Sequence, residues 1–485
     1  MRRKFIIHLF LFLGFNFLVK PFWVFGIDRT VQNTVGEHAY GIYFALFNFS
    51  LIFNMLLDFG ITNFNNRSVA RSNDFLRESF SRIFTLKLLL GVFYIGFVLI
   101  AGYVIGYDIC RYQVLIPLVV NQFLASFILY LRSSISGLLM FKTDSILSVL
   151  DRVIMIVCCG ILLWGNVTDR PFQIEWFVYV QTVAYLLTVV IALFIVLRKA
   201  KLQFPSFDYG YIKYIFRQSF PFAVLTILTG LHNRIDSVFL ERLLPDGTGA
   251  EQAGIYASAF RLLDAAMMVA YVFSVLLLPM FARMTAAKEA VGSLVKTSFT
   301  FIYVYGISVA ICCYYYSYPL MELLYRNHIL ESAHVFQILM LSIAPLSATY
   351  IFGSLLTANG NLKQLNIIAC IAMLLNIGLN IILIPHYRAM GSAIASICTQ
   401  LFIITVEIIL VIRIFSLKLS WRYVVRLCCF LVFTVIFGWM SLLLPFSSAV
   451  DCLIMVCFCG CLIFVLGLVK PKEVILLLKK DLDQR

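Results

Sequence analysis

The chain has 485 residues, 62% of them hydrophobic and only 13% charged, with a formal net charge of +14. A soluble domain keeps about a quarter of its residues charged, and the apolar residues here come in runs of about twenty rather than in amphipathic stripes. That excludes a soluble enzyme and a nucleic-acid-binding domain and puts most of the chain in lipid, where runs of this length must be helices because each satisfies its own backbone.

The first run, Phe5 to Gly26, follows Met1-Arg2-Arg3-Lys4 and exceeds the core of a cleaved signal peptide. At ~1.5 Å per residue it is long enough to cross a bilayer. Five more spans are predicted at Ala39–Asn63, Ile83–Gly106, Val114–Gly137, Ile146–Gly165 and Ile174–Leu197. A polar, aromatic stretch from Arg198 to Lys213 follows. Beyond it come Ile215–Leu240, Gly254–Phe281, Val295–Ser317, His334–Leu356, Leu365–Pro385, Ser392–Ile412, Val424–Leu444 and Cys452–Val469. The expected organisation is an N-terminal part (1–198), a linker (199–214), a second part (215–413) and a C-terminal part (414–485).

Orientation follows from the cations. Of the 38 Lys and Arg residues, 28 fall in loops and flanks on the side of the N-terminus and six on the other side. The remaining four, Lys20, Arg152, Arg234 and Arg261, lie inside spans. The asymmetry persists to the last loop, so both termini are expected to be cytoplasmic. No opposite-side loop exceeds about seventeen residues by these boundaries. That leaves no room for the loop or domain in which a membrane glycosyltransferase or polymerase holds its carboxylates. The lone Asp481-x-Asp483 belongs to a charged tail. All thirteen cysteines except Cys110 sit in apolar runs, without CxxC or metal-ligand spacing, so neither a metal nor a cofactor is expected.

Gly41-Ile-Tyr43-Phe-Ala-Leu-Phe47 opens the second span and Gly254-Ile-Tyr256-Ala-Ser-Ala-Phe260 opens the eighth, 213 residues later. Six spans separate the copies, an even number, which makes this a parallel repeat with a binding cavity expected between its halves.

Three further segments carry a resemblance: Leu57-Asp58-Phe59-Gly60-Ile61 followed by Arg67; Ser219-Phe220-Pro221 with Arg234-Ile235-Asp236; and Ala358-Asn359-Gly360 with Asn376, Asn380, Ile384-Pro385 and Gly391-Ser392-Ala393-Ile394-Ala395. With the span count, they resemble the polysaccharide-biosynthesis (O-antigen and capsule repeat-unit) flippases, of the superfamily that also holds the multidrug and toxin extrusion transporters and the peptidoglycan lipid flippases. The resemblance implies an all-α membrane protein of about fourteen transmembrane helices, two parallel six-helix lobes in a V shape plus two C-terminal helices. It also implies a bacterial inner-membrane protein, functional as a monomer beside a polysaccharide polymerase. Its cargo would be an undecaprenyl-diphosphate-linked oligosaccharide, carried from the cytoplasmic to the periplasmic leaflet.

A charge at bilayer depth costs roughly 2.5–3.5 kcal/mol, so each needs a partner or a wet cavity. Lys20, Arg234 and Arg261 are the candidates to hold the diphosphate, Arg through its planar fork and Lys as a point charge. The competing reading is private ion pairing, as for Arg261 with Asp264 three residues on. His232 and Asp236, four apart, form a candidate proton relay, and Asp58 and Asp264 are further candidates for ion coupling. The alternative for His232 and Asp236 is that they only bond neighbouring helices. For Asp58, as for Asp151, Arg152 and Glu407, the other expectation is snorkelling or local pairing near a cytoplasmic span end, and Asn376 and Asn380 are expected to bond across to another helix. The rival readings are a multidrug exporter, which would want an acidic cavity for cationic cargo, and a membrane glycosyltransferase, which would want a large loop.

Overall fold

The structure is a computed structural model and describes residues 14, 18–19, 21–62, 65–66, 69, 73–138, 140–165, 167, 169–199, 209–245, 247–417, 420–443, 445 and 447–468. Those residues form helices and connecting turns, without strands. Lys20 lies outside them, as does most of the first predicted span.

A π-helical turn, Trp23–Asp28, leads into α1 (Arg29–Ile52). Inside α1 the chain breaks at Gly36, whose φ of 80° and ψ of 167° suit only a residue without Cβ. The helix before the break is thereby separated from the one that carries Gly41. Next come α2 (Asn73–Ile105), α3 (Ile109–Gly137), α4 (Phe141–Trp164), α5 (Ile174–Leu197) and α6 (Tyr209–Leu243). Asp108 caps α3 by accepting from the Arg111 backbone N–H at 3.1 Å. Then follow α7 (Thr248–Ala286), α8 (Gly292–Tyr315), the short α9 (Ser317–Leu324), α10 (Ile329–Met340) and α11 (Ile343–Ala358). α12 (Leu362–Phe415) is two helices joined at a kink, where Pro385 precedes a non-helical Arg388 (φ 52°, ψ −133°). The kink falls between the two spans predicted at Leu365–Pro385 and Ser392–Ile412. α13 (Trp421–Ser441) and α14 (Ser448–Val465) complete the set.

Among the described residues nine helices are long and apolar enough to cross a membrane. α10 and α11 count as one of them, and so do the two halves of α12. α6 has the length but not the composition, because its second half carries His232, Asn233, Arg234, Asp236, Glu241 and Arg242. The chain is a multi-pass membrane protein.

The chain separates into two compact units, Met1–Gly254 and Ile255–Arg485. In the first, α3 is the central helix: 67% of its apolar window is buried, against 28% for α2 and 22% for α4. α3 packs mainly on α5, α4 packs on α5, and the polar α6 lies along α1. The outward faces of the peripheral helices remain apolar, with Val92, Phe93 and Ile100 exposed. A patch of this size in a soluble protein would mark an interface; here lipid covers it. In the second unit α11 packs on α8 and α12, and α13 and α14 pack on α8 around Phe430, Met455, Cys459 and a stacked Phe437–Phe458 pair 3.8 Å apart. All thirteen cysteines are free.

Candidate functional site

The leading glycines of the two repeat copies, Gly41 and Gly254, both belong to the first unit and mark a close helix crossing there. A Cβ on Gly41 would stand 1.8 Å from the Ala250 carbonyl oxygen, and a Cβ on Gly254 would stand 2.1 Å from the Glu37 carbonyl oxygen. The offset that relates Gly41 to Gly254 also relates Glu37 to Ala250, so the two glycines make equivalent contacts. Only glycine admits this approach, because no side chain can fit between a helix and a backbone oxygen at that distance. Gln32, fully buried, seals the crossing by donating from Nε2 to the Gly254 carbonyl at 3.0 Å. The repeat was legible in the sequence; that its glycines are one another's packing partners was not.

One end of the α1–α6 packing carries a polar group. Asn48 on α1 donates from Nδ2 to Ser237 Oγ at 2.9 Å, and its Oδ1 receives Arg234 Nη1 at 3.5 Å. Asn48, Ser237 and Asp236 are each 1% exposed, whereas Arg234 is half-buried. His232 is buried, and its Nδ1 lies 3.1 Å from the Leu228 carbonyl of its own helix. Thus α6 presents a guanidinium toward an amide of α1.

At the ends of α3 and α6 lies an ionic cluster absent from the sequence reading. Arg111 Nε meets Glu241 Oε1 at 2.7 Å, Arg111 Nη1 meets Asp108 Oδ2 at 3.0 Å, and Arg242 Nε meets Glu241 Oε2 at 3.1 Å. The Arg242 guanidinium also lies 4.0 Å from the Tyr107 ring centre. The Glu241 side chain is 1% exposed, so its charge depends on these two arginines. Asp108, exposed between α2 and α3, is held below the usual carboxylate range by the Arg111 backbone N–H first and its guanidinium second. By sequence Arg111 and Arg242 count only as loop cations, and a partner 130 residues away leaves no local signal.

Asp58 has a defined partner. Lys87 on α2, its side chain 2% exposed, forms an ion pair with Asp58 and donates to the Leu57 carbonyl at 3.0 Å and Ser126 Oγ at 3.3 Å. The Thr62 backbone N–H donates to the same carboxylate at 3.3 Å. Lys87 therefore differs from its sequence assignment as an interfacial flank cation: it is a buried counter-ion. Asp151 and Arg152 pair locally at 3.6 Å, with Arg152 5.2 Å from the Trp23 ring centre.

In the second unit Arg261 and Asp264 are half-buried, and both interact with neighbours. Asn380 donates from Nδ2 to the Asn376 carbonyl at 2.9 Å and accepts from Ser392 Oγ at 2.8 Å, tying the two halves of α12 across their kink. All three residues are fully buried. Glu407, expected to snorkel or pair locally, does not snorkel: it is 3% exposed, packed beside Gly353 of α11 and hydrogen-bonded to Thr349.

The Lys87–Asp58 pair yields a direct test. Asp58→Asn strands the buried Lys87 ammonium and should lower stability by about 3–5 kcal/mol, whereas Lys87→Met with Asp58→Asn should recover most of that loss. Thermal unfolding of the purified variants in one detergent reads both effects; equal loss in the single and double variants would contradict the pairing.

A family model described as polysaccharide biosynthesis protein matches residues 29–285. No curated protein sequence matches. Among solved structures, the lipid II flippase MurJ in an inward closed conformation superposes with a TM-score of 0.71 at 13% identity, over 96% of this chain and 99% of that one. An inward-facing multidrug resistance MATE family transporter of the MOP superfamily gives 0.64 at 14% identity, over 84% and 94%. A MOP superfamily transporter from Pyrococcus furiosus, described as having a binding pocket of reverse polarity, gives 0.59 at 15% identity, over 84% and 94%. At these identities the likeness is one of fold.

Proposed function

The chain belongs to the polysaccharide biosynthesis protein family, and from that membership we propose that it is a flippase. Its cargo is an undecaprenyl-diphosphate-linked oligosaccharide repeat unit, moved from the cytoplasmic to the periplasmic leaflet of a bacterial inner membrane for O-antigen, capsule or exopolysaccharide assembly. The reading carries with it fourteen spans in two six-helix lobes plus two C-terminal helices, cytoplasmic termini, no enzymatic step, a monomeric transporter and a polysaccharide polymerase downstream.

The observation that supports an anionic cargo most is Arg234. It is a half-buried guanidinium in the second half of the most polar long helix, set against Asn48 of α1. An Arg in such a place suits a diphosphate, which its fork can grip at two oxygens. A cavity for cationic drugs would want the opposite sign. Lys20 and Arg261 are the further cations assigned to the diphosphate. Asp58, His232, Asp236 and Asp264 are the candidates for ion coupling, Asp58 least so because Lys87 neutralises it.

Coupling is not required energetically. Each elementary charge crossing the membrane field is worth about 2.3 kcal/mol per 100 mV, so two negative charges moving outward from an inside-negative cell gain roughly 4–5 kcal/mol.

In this reading the Gly41–Gly254 crossing is the closure on the extracytoplasmic side, and the Arg111–Glu241–Arg242 cluster latches it. Two outcomes follow. In a strain lacking the native gene, Arg234→Ala should reduce surface polysaccharide at least tenfold at wild-type expression, with Arg234→Lys retaining an intermediate level; unchanged polymer in Arg234→Ala removes the diphosphate assignment. In a cysteine-depleted chain, Ser237→Cys should resist a membrane-impermeant maleimide added from outside, and adding Gly41→Ala or Gly254→Ala should make it reactive. Protection that persists in both glycine variants would refute the closure.

A further inference from the structure

A cavity in the second unit lies apart from every residue assigned above. Its volume is about 350 Å³, within the ~300–1,000 Å³ range of sites that enclose small ligands. Four helices wall it: α8 through Val295 and Phe299, α11 through Phe352, the end of α12 through Val411 and Ile412, and α13 through Leu427. These side chains offer nothing to a polar molecule and suit a hydrocarbon chain.

Polarity enters at one place. Lys296, exposed and on the lining, holds its Nζ 4.8 Å from the Tyr423 ring centre. The ring is itself fixed, because Tyr423 Oη lies 2.8 Å from Thr300 Oγ1. Ser293 and Ser420 also line the cavity, and no acidic residue does. The adjoining segments add Arg283, Lys288, Arg413 and Arg422, all exposed, against a single exposed acid, Glu289. A cationic occupant would meet only like charge. A neutral one would leave the ammonium without a counter-charge. An amphiphile with one apolar chain and an anionic head satisfies both parts at once.

We propose that this cavity is a binding site for an anionic phospholipid, with an acyl chain between α8, α11, α12 and α13 and the phosphate on Lys296. Every cation around it belongs to the loops that the charge asymmetry assigns to the cytoplasmic side, so the lipid comes from the cytoplasmic leaflet, whose anionic headgroups basic pockets between helices attract. The site goes beyond the transport reading and does not depend on it.

The test is native mass spectrometry of the purified, delipidated full chain titrated with phosphatidylglycerol, phosphatidylcholine of the same acyl composition, or undecaprenyl phosphate. Wild type should bind phosphatidylglycerol at least fivefold more tightly than phosphatidylcholine, the order expected from one cation at a membrane surface. Lys296→Gln should erase that preference, and because Lys296 is exposed the change does not threaten the fold. Val411→Trp, which fills the chamber, should weaken both phospholipids. Equal binding of the two phospholipids by wild type, or wild-type behaviour of Lys296→Gln, would overturn the proposal. So would undecaprenyl phosphate displacing phosphatidylglycerol from a tighter site that Lys296→Gln abolishes, since the cavity would then belong to a polyprenyl ligand. Translocation is not measured at any point, so a negative result here leaves the flippase reading standing.

Discussion

A charge carried into hydrocarbon must be compensated on the spot, and the first unit is organised around that constraint. Its apolar exterior permits insertion, but α6 and the helices beside it carry ionic groups that water would otherwise solvate. Lys87 is compensated by Asp58 and two further acceptors. Glu241 is compensated by Arg111 and Arg242. Replacing such pairs with apolar residues would often cost nothing in stability, whereas breaking one of them costs several kcal/mol. Their presence therefore calls for a reason other than stability, and the proposed transport cycle, in which a wall opens and recloses, would supply one.

The glycine crossing supplies the other half of such a wall. Gly41 and Gly254 bring two backbones into contact through positions related by the internal repeat, each meeting the partner of the other. Close approach by small residues gives extensive van der Waals contact with little side-chain interlocking. The adjoining Gln32 and Asn48 hydrogen bonds then set register without bulk. A contact of this kind is tight when formed and leaves few rotamers to rearrange when it parts.

How much of this the sequence disclosed follows from the range of the forces involved. Bilayer thickness fixes helix length locally, so α3, α4, α5 and α8 lie within about five residues of the predicted spans, whereas α2 begins ten residues before its own. The break between the spans predicted at Leu365–Pro385 and Ser392–Ile412 coincides with the kink in α12, and Asn376 and Asn380 were legible as polar glue because they lie one turn apart. The Arg111–Glu241 pair was not, since its partners are far apart in the chain and each flanks an ordinary span. Lys87 was assigned to an interface because its distance along α2 gives depth in the membrane but not depth in the protein. The same confusion of two depths made snorkelling one reading of Glu407, which protein encloses. Lys20, on which part of the anionic-cargo argument first rested, lies outside the described residues, and the argument now rests on Arg234.

The central claim is that this fold carries a lipid-linked anion across the membrane. Its most direct measurement is the purified chain in proteoliposomes loaded with a fluorescent undecaprenyl-diphosphate oligosaccharide, with transbilayer movement read by a quencher confined to one side. The account predicts protein-dependent movement that speeds up when a potassium-diffusion potential favours transfer of negative charge, and that a neutral polyprenyl-linked sugar does not share. Movement equal to that of protein-free vesicles, or equal rates for the charged and neutral lipids, would contradict it.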